Sequence, residues 1–161
     1  MPTMTDPHVA LVSYQKALSE NQISPLPCHL HKDMTFFRDI VEDGSQRLTF
    51  AIEDKGIVKA IAIYVSSPRI NNIFCFGIAY AVEKEYRNQG IATQIVINSI
   101  KELSHDAKGK IPSFYIEAMI DANNIASQKV ARKTISDTPR ETIEQVSGLP
   151  AYQFTKLIKN I

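Results

Sequence analysis

A polar turn in the middle of the chain decides the fold of this protein. Residues 82–93, with the sequence VEKEYRNQGIAT, follow an apolar run and precede a segment with helical periodicity. Gly90 stands where that helix begins, and a helix amino terminus presents N–H groups without partners and the positive end of the helix dipole. Because Gly90 and Ala92 add almost no side chain, an anion can approach the main chain closely. The turn therefore has the features of a phosphate-binding site, although an ordinary strand-to-helix turn fits the same spacing.

Two familiar phosphate-binding motifs do not fit this turn. No Gly-Lys-Ser or Gly-Lys-Thr sequence follows it, so it is not a Walker A loop. The Gly-x-Gly-x-x-Gly pattern of dinucleotide-binding folds is also missing.

The segments around the turn predict a mixed sheet with helices. Strands are indicated by β-branched and aromatic runs bounded by turn residues, and helices by apolar residues three and four apart. The predicted strands are residues 48–52, 57–65, 73–82, 113–120 and 151–158. The predicted helices are residues 10–18, 36–41, the stretch that begins at Gly90, and 124–133, the last with Asp121 and Asn123 available as caps. This order predicts an α/β chain with at least one βαβ crossover.

Two of these strands carry more detail. The first two form a hairpin, since Asp54-Lys55-Gly56 between them is a turn signal. Residues 73–82 are apolar on both faces, which is typical of a central strand covered on both sides.

Composition limits the class of protein. The chain has 161 residues, 44% of them hydrophobic, and a formal net charge of +1, which predicts one folded domain and argues against global disorder. The balanced charge does not call for nucleic acid or an anionic membrane as a partner. No apolar run reaches the roughly 20 residues of a membrane span, and the amino terminus does not resemble a signal peptide. We therefore expect a cytoplasmic protein with Cys28 and Cys75 as free thiols.

A short run of metal-ligand residue types occurs at Cys28-His29-Leu30-His31. No second ligand pair follows at a useful spacing, so the sequence predicts a structural or surface role and no metal. Cys75 lies in an apolar strand, which predicts a buried thiol rather than a nucleophile.

Two segments resemble the GCN5-related N-acetyltransferase (GNAT) superfamily. RNQGIA at residues 87–92 is similar to its Arg/Gln-x-x-Gly-x-Gly/Ala signature. IEAMIDANNIASQKVARK at residues 116–133 resembles its next strand and helix, in the version found in ribosomal-protein and related amino-group acetyltransferases. The resemblance implies a single GNAT domain over residues 1–161, with a mostly antiparallel sheet split between two parallel strands and flanked by helices.

The resemblance also implies a cofactor, acetyl-CoA, in the gap between the strands at residues 73–82 and 113–120. Its pantetheine arm pairs with the first strand, its pyrophosphate meets the turn, and its amide region meets the next helix. Lys129, Arg132 and Lys133 form a basic group that could face the 3′-phosphate. The cofactor-binding residues implied in this way are Ala81, Val82, Arg87, Asn88, Gln89, Gly90, Ile91, Ala92, Thr93, Asn124 and Ser127.

The sequence departs from the family at two places. Ala131 stands where many members carry a tyrosine that protonates the departing thiolate, and Ile135-Ser136 replaces the usual Gly-Phe. Glu117 is the candidate general base because it lies on the second strand of the gap. Tyr152 and Ser127 are the candidate general acids.

The implied function is direct transfer of an acetyl group from acetyl-CoA to a primary amine, which could be a protein amino terminus, a lysine or a small molecule. Two alternatives stay open: a CoA-binding module that has lost catalysis, and a GNAT toxin that acts on aminoacyl-tRNA. The near-neutral charge argues against the toxin, because phosphate recognition favours a basic surface. A homodimer is compatible with the sequence.

Overall fold

The computed structural model describes residues 6–160 and shows a mixed sheet with helices. The sheet has eight strands in the order β1-β2-β3-β4-β5-β6-β8-β7, and β5 with β6 is a parallel pair. No helix within residues 6–160 is long and apolar enough to cross a bilayer. The helices are α1 (Pro7–Ser19), α2 (Ile91–Ala107) and α3 (Ile125–Thr134), with a 3-10 turn at Lys84–Tyr86. The strands are β1 (Leu26–Pro27), β2 (Met34–Ile40), β3 (Gln46–Asp54), β4 (Ile57–Ile70), β5 (Ile73–Val82), β6 (Ser113–Asp121), β7 (Arg140–Ile143) and β8 (Pro150–Lys159).

The hairpin and the crossover predicted from the sequence are confirmed. β3 and β4 pair antiparallel, and the turn residues Lys55 and Gly56 both have positive φ, 52° and 83°, as the favoured hairpin turn requires. β5 covers the predicted residues, α2 follows it, and β6 returns parallel to β5. This β5-α2-β6 unit is the crossover that the element order predicted.

The helix predicted at residues 36–41 is wrong, because this segment is strand β2. β2 pairs antiparallel with β3 over seven positions, from Met34 opposite Ile52 to Ile40 opposite Gln46. Its two phenylalanines and an isoleucine suit a pleated surface, and pairing with a neighbouring strand outweighs the weak helical spacing. The cap of α3 also differs from the prediction, since Asn124 takes that position instead of Asp121 or Asn123.

The chain separates into two compact units, each discontinuous in sequence. The amino-terminal unit comprises Asp6–Val65 and Ala79–Asp106, and the carboxy-terminal unit comprises residues 66–78 and 107–160. The single domain expected from chain length stays a prediction.

The core of the amino-terminal unit joins α1 to β3 and β4. Leu11 and Tyr14 of α1 are buried against Ala51, Val58 and Ile61. Burying one such leucine contributes about 1.5–3 kcal/mol, so this contact stabilises α1 against the sheet.

Polar bonds fix the position of α1 on the hairpin. Gln15 donates to the carbonyl of Gly56 at 3.0 Å and accepts from the N–H of Val58 at 2.7 Å. Asp6 caps the first turn by accepting from the N–H of His8. The two Gln15 bonds join α1 to the β3-β4 hairpin.

The carboxy-terminal unit is built on β6, which pairs with β8 over nine positions and with β5 over three. Phe114, Ile116, Ala118 and Ile120 of β6 are buried, while the residues between them are partly exposed. This alternation gives β6 one core face and one more open face. Glu117 lies on the more open face.

Candidate functional site

The turn before α2 is shaped by two residues in the left-handed region. Asn88 has φ 63° and Gly90 has φ 77°. Gly90 immediately precedes Ile91, the first helical residue, and accepts from the N–H of Gln94 at 3.0 Å. A Cβ added to Gly90 would meet nothing within 4 Å, so the space beside this residue is open.

The first turn of α2 has main-chain donors without acceptors in the helix. By helix geometry the N–H groups of Ile91, Ala92 and Thr93 have no acceptor within the helix. Gly90, in the cap position, has no side chain that could accept from them. Three donors and the positive end of the dipole can thus meet one anionic group.

Arg87 and the 3-10 turn fix the approach to the helix. Arg87 donates from Nε to the carbonyl of Val82 at 3.1 Å, which ties the turn back to the end of β5. Glu83 accepts from the N–H of Lys84, and its own N–H donates to the carbonyl of Lys59 at 2.8 Å. The guanidinium of Arg87 therefore lies at the strand end, where the side chain is exposed and its Nη2 group lies 3.5 Å from His8 Nδ1.

The other predicted cofactor-binding residues of the amino-terminal unit lie in the turn or at the end of β5. Asn88 and Gln89 are exposed in the turn, and Gln89 Nε2 donates to the carbonyl of Glu85 at 3.4 Å. Ala81 packs against the core of the amino-terminal unit, and Val82 is buried. The structure thus brings all the predicted residues from 81 to 93 into one strand end, turn and helix start.

In the carboxy-terminal unit, Asn124 caps α3. Its side-chain oxygen accepts from the N–H of Ser127 at 3.1 Å. Gln128 donates from Nε2 to the carbonyls of Asp121 and Ala122, both at 3.0 Å. The side-chain oxygen of Asn124 thus serves the helix, and its exposed Nδ2 group is the part that can donate to a ligand.

Glu117 is held by two neighbours. Ser67 donates to Oε1 at 2.9 Å, and Gln153 donates from Nε2 to Oε2 at 2.5 Å. Gly77 of β5 lies opposite Glu117 in the parallel register and adds no side chain on that face. Each carboxylate oxygen has a second lone pair, so an oriented Glu117 can still accept a proton.

Tyr152 lies on the opposite face of the sheet from Glu117. In the β6-β8 register Tyr152 is opposite Ile120, whereas Glu117 is opposite Thr155 and shares its face with Gln153. α3 packs on the face of Tyr152, because the Arg132 guanidinium lies 6.0 Å from the Phe154 ring. The structure therefore brings Tyr152 and Ser127 to one face of the carboxy-terminal unit and Glu117 to the other.

The position of the missing family tyrosine lies in the core. Ala131 is 0% exposed on α3 and carries no hydroxyl at the position where many family members have a tyrosine. Arg132, from the predicted basic group, also donates to the carbonyl of Asp137 at 3.3 Å.

Cys75 and Tyr80 are buried, Cys28 is half-buried, and all three have raised pKa values. Burial, with the nearby Glu117 charge, raises the pKa of Cys75 to about 11. Burial and the charges of Glu102 and Asp106 raise the pKa of Cys28 to about 12. Burial also raises the pKa of Tyr80. A thiol with a raised pKa is a poor nucleophile at neutral pH, which agrees with the buried-thiol interpretation of Cys75.

Sequence reasoning missed Ser67 and Gln153. Both residues reach Glu117 from strands distant in sequence, β4 and β8. Only the strand register brings them together, and no motif marks either residue.

Comparison with known proteins agrees with this geometry. The chain matches the family model described as acetyltransferase (GNAT) family over residues 14–134. No curated protein sequence matches it.

Solved structures share the fold at low sequence identity. An acetyltransferase of the GNAT family from Streptococcus pneumoniae matches with a TM-score of 0.52 and 16% identity, over 70% of this chain and 66% of that one. RimL, a ribosomal L7/L12 α-N-protein acetyltransferase in complex with coenzyme A, matches with a TM-score of 0.52 and 18% identity, over 71% and 64%. An aminoglycoside N(6′)-acetyltransferase from Legionella pneumophila matches with a TM-score of 0.52 and 15% identity, over 73% and 67%.

These likenesses concern the fold alone, and the match covers slightly less than two thirds of the first two chains. The family model, in contrast, includes both the turn at Gly90 and the strand and helix that carry Glu117 and Asn124. The chain therefore belongs to the GNAT family of acetyltransferases.

Proposed function

We propose that this protein is an N-acetyltransferase that moves an acetyl group from acetyl-CoA directly to a primary amine. The observation that carries the proposal is the start of α2, where Gly90 precedes the first helical residue and has no side chain that could cap the main-chain donors of Ile91, Ala92 and Thr93. This feature occurs within the part of the chain that matches the GNAT family.

The residues present suit the phosphates of coenzyme A. The N–H groups of Ile91, Ala92 and Thr93 would hold the pyrophosphate, and the exposed Arg87 adds a positive charge at the strand end. Open space over Gly90 admits a phosphate that a side chain would exclude. We assign the pantetheine arm to the main chain of Ala81 and Val82, at the end of β5, and its amide region to Asn124 and Ser127.

Glu117 is the proposed general base. The bound donor supplies an acetyl group activated as a thioester. Glu117 takes a proton from the acceptor amine, directly or through one water, so that the amine is neutral when it attacks. Ser67 and Gln153 each donate to one oxygen of the carboxylate and so fix its orientation.

The proposed acceptor is an α-amino group or a weakly basic small amine. A lysine side chain, with a pKa of about 10.4, is neutral only at about one part in 10³ near neutral pH. An α-amino group, with a pKa of about 7.7–8.0, is already neutral at about the ten per cent level. Glu117, a base held by two neutral hydrogen-bond donors, suits the α-amino group, because that group needs less help in losing its proton.

Tyr152 and Ser127 remain the proposed candidates for the proton donor to the leaving thiolate. Both lie on the α3 face of the carboxy-terminal unit. A thiolate is a stable leaving group because a thiol has a pKa of about 8.5, so this donor contributes less than the base.

A second function is favoured by one observation. Ala131 is fully buried where many family members have a tyrosine, which fits a CoA-binding module that has lost catalysis. Such a protein would bind acetyl-CoA with the same turn and release no thiol.

A thiol-release assay with acetyl-CoA tests both functions. The acceptor panel contains a free-amino-terminal peptide without lysine, the same peptide with a blocked amino terminus and one lysine, and small primary amines. Turnover with the first or the third group supports the proposal, and turnover with the lysine peptide alone overturns the acceptor assignment. Tight binding of acetyl-CoA without turnover favours the binding module, and no binding overturns both functions.

A further inference from the structure

A cluster of three metal-ligand side chains lies in the amino-terminal unit, apart from the turn at Gly90. His29 lies in the connection between β1 and β2, and His105 and Asp106 lie in the last turn of α2. One ligand atom from each lies within 4.8 Å of the other two. His29 Nδ1 is 3.2 Å from Asp106 Oδ1, and the rings of His29 and His105 have centroids 5.6 Å apart.

Glu102 fixes the backbone that carries His29. This carboxylate is 1% exposed and accepts from the N–H of His29 at 3.0 Å, from the N–H of Leu30 at 2.9 Å and from His31 Nδ1 at 2.5 Å. Glu102 is four residues before Asp106, so both project from the same side of α2. The buried carboxylate thus holds the loop where His29 meets the end of the helix.

We propose that His29, His105 and Asp106 form a binding site for a divalent transition-metal ion such as Zn²⁺. Two imidazoles and one carboxylate are ligands that Zn²⁺ accepts, with a fourth position left to water. Two ligands of a tetrahedral zinc ion are about 3.3 Å apart, given bond lengths of about 2.0–2.1 Å. The 3.2 Å separation of His29 Nδ1 and Asp106 Oδ1 already matches that spacing.

Small side-chain adjustments complete the site. His29 has a side chain 60% exposed, so its imidazole can turn toward an ion without disturbing the core. Phe36 lies on one side of it, with a ring centroid 6.5 Å away, and His105 on another. The bound ion would tie the β1-β2 connection to the end of α2, a structural role that does not depend on acetyl transfer.

Calorimetric titration of the metal-stripped, tag-free chain with ZnCl₂ tests this site. We expect one Zn²⁺ per chain and a higher melting temperature in its presence. His29→Ala, His105→Gln and Asp106→Asn should each weaken binding at least about tenfold, because loss of even a partner behind a metal ligand typically costs about 10–100-fold. His105 and His29 are exposed, so their variants keep the fold, which the melting temperature without metal verifies.

Two matched controls separate this site from general metal binding. His8→Ala removes a histidine on α1 that is outside the proposed site, and Cys28→Ser removes the thiol next to His29. Both should bind Zn²⁺ like the unaltered chain. The proposal is overturned if no heat is detected at millimolar Zn²⁺, if the three ligand variants keep their affinity, or if either control loses it.

Discussion

The starts of α2 and α3 both follow a strand of the same sheet, and they differ in what satisfies the main chain. At α3 the Asn124 side chain accepts from the N–H of Ser127, and Gln128 donates to two carbonyls of the preceding loop. At α2 the cap position is Gly90, and the space above it is open.

The difference shows where the chain leaves donors for a ligand. A helix is stabilised when its N-cap side chain accepts from a main-chain N–H of the first turn, and that N–H is then not available to a ligand. A helix with glycine in the cap position has no side-chain acceptor there, so its first N–H groups stay available to an anion. The open start lies at the motif that the family model includes, which is why a local sequence pattern could indicate it.

Placing a charged side chain at the start of α2 should have the largest effect. Gly90→Asp places a carboxylate where the phosphates would bind, and its repulsion should weaken CoA binding at least about 100-fold in calorimetry. Left-handed backbone at this position adds strain of about 1–2 kcal/mol for a non-glycine residue.

Gly44→Asp is the matched control. Gly44 also has positive φ, 86°, with nothing near an added Cβ, and lies in the β2-β3 turn of the same unit. It should cost similar stability and leave CoA affinity unchanged. Equal loss of affinity in both variants would show that strain, and not the phosphate contact, is responsible.

Glu117→Gln should have the next largest effect. Removing a general base lowers kcat by about 10²-fold or more, while the KM for acetyl-CoA stays within about twofold. Steady-state kinetics with the preferred amine measures both constants. The exposed Glu141→Gln on β7 is the control, and equal rates for the two variants would remove Glu117 from the mechanism.

Removing the side-chain cap of α3 should have a smaller effect, and it should affect stability. Asn124→Ala removes the cap and should lower the free energy of unfolding by about 1 kcal/mol, measured by urea denaturation. Asn123→Ala, one residue earlier and outside the cap position, should change it much less. If both variants lose the same unfolding free energy, the Asn124 side chain is not a stabilising cap of α3.

The smallest effect concerns the thiol beside Glu117. Burial raises the pKa of Cys75 from 9.0 to about 11, so the folded chain keeps a proton that the unfolded chain releases. This contribution is fully present below about pH 9 and is lost as the pH rises toward 11. Between pH 8 and pH 10 the unaltered chain should lose about 1 kcal/mol more unfolding free energy than Cys75→Ala. If the unfolding free energies of the two proteins change equally with pH, the raised pKa of Cys75 is contradicted.

Local chemistry explains which elements the sequence predicted. The β3-β4 turn, the apolar run of β5 and the glycine before α2 are set by residues adjacent in the chain. Segment β2 was predicted as a helix because its short pattern fits both periods, and only pairing with β3 decides between them. Glu117 was found from its strand, but its partners Ser67 and Gln153 could not be, since they come from β4 and β8.

The sequence by itself determined the family, the β3-β4 hairpin, the β5-α2-β6 crossover and the turn at Gly90, because each depends on neighbouring residues and on main-chain geometry that they impose. Tertiary structure alone decided which side chains meet: Ser67 and Gln153 on Glu117, Tyr152 on the other face, and His29 beside His105 and Asp106. The physical reason is that a strand register or a helix packed on a loop joins residues far apart in the chain, and moving a strand by one residue would turn every one of its side chains to the opposite face.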